Sequence, residues 1–221
     1  MKTLFIANWK SHKTVEESLN FLRELKEPLS AIDLSEKEVI ILPQFIALSE
    51  CVKLAKEENI PVSFGVQNVS DFSDGPYTGE VSARQASEFA KYALLNHSER
   101  RKYLNETDED LRKKYEEAVK ILTPIVCVQS VDSFIPDGAK FVAYEPPTAI
   151  STFGVGKPET KDEVVTAFNA LKTKTDAVLI YGGSVTSQDI KEYKGVDSLA
   201  GFLIGAASLE VKSFVELLLQ W

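Results

Sequence analysis

A chain of 221 residues, 44% of them hydrophobic and 26% charged, can bury a sizeable core and is too apolar to stay disordered. Its formal net charge of −8 excludes a general binder of nucleic acid or of anionic membranes, so positive potential for an anionic ligand has to be built locally. No apolar run approaches the length of a membrane span, and Cys51 and Cys127 lie in apolar contexts that suit buried free thiols in a reducing compartment.

The first predicted strand covers residues 3–7 and leads into Asn8-Trp9-Lys10. It carries no leader pattern, so a cytoplasmic protein is expected. Thr14 stands where an N-cap belongs, and the apolar residues over 15–22 have helical spacing. A second strand, 39–42, closes on Pro43; a helix follows over 45–58 and a third strand over 62–66. A long loop runs from Gln67 to Glu80, with a turn at Gly75-Pro76. Next come a short helix (82–90), a strand (92–95), a helix (108–122) and a strand (124–128). The strand 141–145 precedes a helix over 163–172, a strand over 177–181 and a short helix over 187–194. A strand over 199–204 and a helix over 211–219 complete the series.

Near-continuous apolar strands alternating with amphipathic helices imply a parallel sheet covered by helices, and about eight such units over this length imply an α/β fold closed as a (β/α)8 barrel. An open doubly wound sheet is the other option, but Asn8-Trp9-Lys10 stands where its Gly-rich fingerprint belongs. The fifth unit is contracted: only 129–140, broken by Pro136 and Gly138, separates two strands, and a single helical turn is expected there. No linker or repeat divides residues 1–221, which read as one domain.

In such a barrel the site lies at the C-terminal ends of the strands. There stand Asn8, Lys10, Gln67, Asn96, His97, Glu145, Gly182-Gly183-Ser184 and Gly205-Ala206. Glu145 ends an apolar run and is followed by Pro146-Pro147; a carboxylate half inside an apolar wall can have its proton affinity raised, as a general base requires. Each residue also has a duller reading: a solvated glutamate, a surface lysine, a structural histidine, a turn with a cap. Convergence on one rim favours chemistry, because a carboxylate, an imidazole and an ammonium suit proton abstraction beside a carbonyl, and turns entering helices suit a phosphate.

The chain resembles the triosephosphate isomerase family from end to end. The resemblance is carried by Asn8-Trp9-Lys10, Gln67-Asn68-Val69, Tyr77-Thr78-Gly79-Glu80, His97-Ser98-Glu99-Arg100-Arg101, Ala143-Tyr144-Glu145-Pro146, Tyr181-Gly182-Gly183-Ser184-Val185 and Gly205-Ala206-Ala207-Ser208-Leu209. The Pro146-Pro147 pair and the contracted fifth unit look like the shorter archaeal-type members. The resemblance implies interconversion of dihydroxyacetone phosphate and D-glyceraldehyde 3-phosphate, a glycolytic and gluconeogenic step, with no cofactor and no metal. Glu145 would be the base, His97 a neutral electrophile, Lys10 the positive charge and Asn8 a positioning group, with Glu99 as a supporting carboxylate. A helix beginning after residue 97 would lower the His97 pKa and keep the ring neutral.

The same resemblance places the phosphate on Ser151, Ser184, Gly205 and Ala206. Here the chain departs from the family: Ser151-Thr152-Phe153 stands where the lid usually reads Gly-Thr-Gly, and Gly205-Ala206 where the eighth loop reads Gly-Gly. A positive φ at Ser151 or Ala206 would cost roughly 1–2 kcal/mol. These changes motivate a rival, a catalytically weakened barrel kept to bind phosphate ligands. A metal-dependent sugar-phosphate epimerase is disfavoured by a chain with His12 and His97 as its only histidines, and His12 reads as solvated. The loop from Gln67 to Glu80 is expected to reach into a second copy, giving a homodimer or a tetramer built from it.

Overall fold

The computed structural model describes residues 1–150 and 156–221. The strands β1 (Thr3–Asn8), β2 (Lys37–Leu42), β3 (Ser63–Val66), β4 (Tyr92–Leu95), β5 (Thr123–Val128), β6 (Phe141–Tyr144), β7 (Val178–Tyr181) and β8 (Leu199–Ile204) pair in parallel, each with the next. β8 then returns to β1, with Leu4 against Gly201 and Ala7 against Ile204, so the sheet closes into a barrel.

The helices are α1 (Val15–Ser30), α2 (Phe45–Glu57), α3 (Ala83–Ser87), α4 (Ser98–Leu104), α5 (Asp108–Ala118), α6 (Lys161–Lys172) and α7 (Val211–Gln220). Reciprocal capping boxes start α1 (Thr14 with Glu17), α3 (Ser82 with Gln85), α5 (Thr107 with Asp110) and α6 (Thr160 with Glu163). α1 runs more than two turns past the expected 22, because Leu25 and Leu29 continue its buried stripe, and Pro28 lies inside it.

Three expectations are corrected. The contracted fifth crossover keeps no helical turn; residues 129–140 form turns instead, and Val131, Phe134 and Ile135 pack on the core where a helix would. The short helix expected over 187–194 is a 3-10 turn, Ile190–Tyr193. The periodicity marks no element over 98–104, and a helix beginning after residue 97 is considered only for its effect on His97; α4 follows His97 directly.

The period-two alternation of the strands sorts the apolar residues into two cores. Phe5, Ala7, Val39, Ile41, Val126 and Phe202 face the helices, whereas Leu4, Ile6, Ile40, Leu94, Ile125 and Cys127 fill the barrel. Continued past the strand ends, that parity carries Asn8 (after Leu4 and Ile6), Glu145 (after Ala143) and Gly182 (after Ile180) onto the barrel's inner mouth. Trp9 has the opposite parity; it is fully buried in the outer layer, edge-on to Phe21, and donates its indole N–H to the Ser208 carbonyl at 3.1 Å.

Close packing of the barrel is checked at Gly65, where an added Cβ would come within 2.5 Å of Leu42 Cδ2 and 2.9 Å of Tyr92 Cβ. Gly65→Ala is therefore expected to destabilise the fold by about 1–3 kcal/mol in urea unfolding, as overpacked cores do. An unchanged midpoint would show that β2, β3 and β4 are not packed as closely as described.

Candidate active site

At the end of β1 the chain turns sharply. Lys10 has φ +50°, a left-handed conformation that a non-glycine residue holds only where its surroundings impose it. Its N–H donates to Asn8 Oδ1 at 3.1 Å, and Gln67 Nε2 donates to the carbonyls of Lys10 (2.8 Å) and Leu42 (2.9 Å). The ammonium of Lys10 donates to Glu99 Oε1 at 2.6 Å, in a pair whose side chains are 20% and 38% exposed.

At the end of β4, Asn96 also takes a left-handed backbone (φ +61°), which asparagine tolerates. Its amide donates to the Cys127 carbonyl at 2.8 Å and its Oδ1 accepts from Arg101 at 2.8 Å. This fixes the next residue, His97, as the N-cap of α4. The ring nitrogen Nδ1 accepts from the Glu99 N–H at 3.3 Å, and Nε2 stands 2.9 Å from Glu145 Oε1. An N–H donated to Nδ1 requires that nitrogen to be bare, so the proton sits on Nε2, facing Glu145.

Glu145 is 2% exposed. Its second oxygen accepts the N–H of Ser98, the first residue of α4, at 3.1 Å, and the Cys127 thiol is hydrogen-bonded to it. A Cβ on Gly182 would lie 2.7 Å from Glu145 Cγ, so the turn after β7 must be glycine where the carboxylate passes over it.

The charges follow from these contacts, and both differ from the expectation. Burial pushes the Glu145 pKa up, but the imidazole, the Ser98 amide and the thiol together hold it below the ordinary carboxyl value. Burial pulls His97 down, but the Glu145 carboxylate outweighs burial and raises it above its ordinary value. With base and imidazole in contact, each charge favours the other.

Asn8, Lys10, His97 and Glu145 share one cavity of about 180 Å³ with Ser184, Gly205 and Ala206. Gly205 is the N-cap of the 3-10 turn Ala206–Ser208, which leaves first-turn N–H groups without partners inside the turn. Ala206 is not among the residues with positive φ, so the strain expected of it there is absent. The Ser184 N–H donates to the Ala149 carbonyl at 2.7 Å. Ser151, and with it the expected phosphate contact and the question of its backbone angle, lies outside the described residues.

Ser98 and Cys127 were not singled out as partners of Glu145 by sequence reasoning. Cys127 pairs with Ala143 across β5 and β6 and has the barrel-interior parity, so register alone brings its thiol near residue 145. Ser98 follows from recognising His97 as a cap, a signal hidden because α4 buries none of its residues.

A family model described as "Triosephosphate isomerase" matches residues 3–133 and 134–220. The chain is 32% identical to the triosephosphate isomerase of Mesomycoplasma hyorhinis, over 98% of both chains. It is 32% identical to that of Dictyoglomus turgidum, over 96% of this chain and 97% of the relative. The crystal structure of triosephosphate isomerase from Bartonella henselae superimposes with a TM-score of 0.82 at 26% identity, over 98% of both chains.

The Glu145–His97 pair predicts a pH window. Glu145, lowered from 4.5, contributes stability that is present above 4.5 and lost as pH falls through its folded value. His97, raised from 6.5, contributes stability that is present below 6.5 and lost as pH rises through its folded value. Thermal melts should therefore show the wild type gaining most over His97→Asn between those two values. A constant difference from pH 4 to pH 9 would show that the pair carries no charge.

Proposed function

The chain belongs to the triosephosphate isomerase family, and on that premise we propose that it interconverts dihydroxyacetone phosphate and D-glyceraldehyde 3-phosphate with Glu145 as base and His97 as electrophile. The observation that carries the assignment is the buried contact, 2.9 Å, between the Glu145 carboxylate and the proton-bearing Nε2 of His97, in a cavity that also holds Lys10. A substrate carbon has to enter between those two groups, so binding separates them. The carboxylate then takes the proton from the carbon beside the carbonyl, and the electron pair moves onto the carbonyl oxygen, which becomes the enediolate oxygen facing His97 Nε2–H. His97 then moves a proton between the two enediolate oxygens, so that the former carbonyl oxygen becomes a hydroxyl and the former hydroxyl oxygen a carbonyl, and return of the carbon-bound proton from Glu145 to the neighbouring carbon completes the isomerisation. This pairing of a glutamate with a neutral imidazole is the family's own chemistry.

His97 acts best as a neutral donor, because an imidazolium would hand over its proton too readily and would hold Glu145 in an ion pair. The bond from the Glu99 N–H to Nδ1 supports the neutral form, and once the carboxylate has moved to the substrate, burial and the Lys10 charge both oppose protonation. Lys10 supplies charge for the enediolate and the phosphate; Asn8, 3% exposed, orients the Lys10 turn by accepting the Lys10 backbone N–H at its Oδ1. Glu99 holds the ammonium until substrate arrives.

The phosphate is assigned to the turns at Ser184, Gly205 and Ala206, where backbone N–H groups at the start of a helical turn favour an anion. The Ser184 amide would exchange the Ala149 carbonyl for a phosphate oxygen. Residues 1–221 are read as one barrel domain, and the buried free thiols Cys51 and Cys127 support a cytoplasmic setting. Among the described residues no helix is long and apolar enough to cross a membrane.

A second copy completes the reading. Phe72 and Tyr77, stacked at 4.2 Å on the loop from Gln67 to Glu80, are exposed, and so are Phe45, Tyr103 and Leu104, which line a cleft with Lys10 and Glu99. We assign the cleft to the same loop of a partner copy, with Thr78 reaching towards the Asn8–Lys10 turn.

Two measurements test this. Glu145→Asp withdraws the carboxylate by about one bond, and a misplacement of that size is expected to lower kcat by roughly a hundredfold with the fold intact. Protein that binds glycerol 3-phosphate but shows no isomerisation in a coupled assay would instead mark a ligand-binding barrel. Thr78→Arg is expected to give monomers in sedimentation velocity and to lower activity with them; a wild-type monomer of full activity would remove the partner copy from the reading.

A further inference from the structure

The turn after β8 is held from outside by its carbonyls. Ala207 accepts the Ser213 hydroxyl at 2.8 Å, Ser208 the Trp9 indole N–H at 3.1 Å and Leu209 the Lys13 ammonium at 2.7 Å. Ser213 belongs to α7, whereas Trp9 and Lys13 come from the turn after β1, which also carries Lys10. That turn is itself fixed. The His12 N–H donates to the Trp9 carbonyl at 3.3 Å, and Thr14, the residue after Lys13, caps α1.

Lys13 is placed by more than its hydrogen bond. Its ammonium lies 4.9 Å from the centre of the Phe21 ring and 5.6 Å from that of Trp9, within the range of cation–π attraction. Glu17, Glu24 and Glu210 line the same hollow, yet the ammonium is committed to the Leu209 carbonyl. Two donors on consecutive carbonyls fix the tilt of the turn as well as its distance from β1. The first residue of the turn lies against the catalytic lysine: a Cβ added to Gly205 would stand 3.5 Å from Lys10 Cε and 3.7 Å from Lys10 Nζ.

We propose that Lys13 is a positioning residue for the substrate phosphate: by holding the Leu209 carbonyl it sets where the backbone amides of the turn from Gly205 to Ala207 stand relative to the Lys10 ammonium, so that one anion meets both. The inference rests on the phosphate assignment of the isomerase reading above. Lys13 is not among the described residues that line the cavity, so it acts through the turn and takes no part in proton transfer. Its effect belongs in affinity.

The test is Lys13→Met, which keeps an unbranched stem against the two rings and removes the donor and the charge. Calorimetric affinity for glycerol 3-phosphate should fall about fivefold, the factor one net hydrogen bond carries, and KM for glyceraldehyde 3-phosphate should rise to match, with kcat little changed. Both proteins are then compared in about 1 M potassium chloride, where charges are screened beyond about 3 Å. A loss that persists there supports positioning. A loss that vanishes makes Lys13 a source of long-range attraction only, and overturns the proposal. Unchanged affinity, with or without a lowered melting temperature, makes the residue purely structural and overturns it too, as does a fall in kcat at constant KM. Lys13→Gln, read in the same way, replaces the methionine variant if that one does not fold. If the wild type binds glycerol 3-phosphate but does not isomerise glyceraldehyde 3-phosphate, the isomerase reading fails and the ratio of affinities alone decides Lys13. No binding by either protein overturns both.

Discussion

A carboxylate with 2% exposure is tolerated only if hydrogen bonds and opposite charge replace the water it has lost. Glu145 is in that position, and much of the barrel's mouth is arranged to meet its needs. One oxygen takes the imidazole of His97, the other the first amide of α4, and the Cys127 thiol adds a third donor. These come from β4, the start of α4 and β5, all held by the closed register of the barrel. Gly182 is then forced by the path of the side chain, and the left-handed turn at Asn96 by the need to aim His97 inward.

The same compensation sets the chemistry of the site. The partners that stabilise the carboxylate also hold its proton affinity below the ordinary value. In the proposed mechanism substrate separates Glu145 from His97, and that separation would leave the carboxylate in an apolar wall where burial raises its proton affinity. On that proposal binding energy is converted into basicity where it is needed.

The fold was legible because strands buried on both sides read as apolar runs, and because the capping boxes at Thr14, Ser82, Thr107 and Thr160 mark helix starts by local chemistry. Parity then placed Asn8, Glu145 and Gly182 on one rim. Elements without an apolar stripe escaped the periodicity: α4, considered only for its effect on His97, buries none of its residues, and the contracted crossover covers the barrel with Val131, Phe134 and Ile135 from turns. The directions of the His97 and Glu145 shifts were also out of reach. Each depends on a contact between residues far apart in the chain, and a 2.9 Å approach outweighs what either residue's own helix or strand would do.

The charge balance shows how an acidic protein can still receive an anion. Lys10 is the cavity's fixed positive side chain among the described lining residues, and it is paired with Glu99 at 2.6 Å. That pairing costs little to reorganise, because Glu99 is 38% exposed and can be solvated when the ammonium turns to the substrate, whereas Lys10 is more buried and gains from a new anion. Backbone amides at the turns after β7 and β8 add positive potential without adding titratable groups, so it does not depend on pH. The net charge of −8 acts on an approaching anion only near the surface, since salt screens it beyond about 10 Å, so positive groups at the cavity decide the last step of approach. On the proposed reading, affinity is set by the geometry of a few groups at the mouth more than by the overall charge.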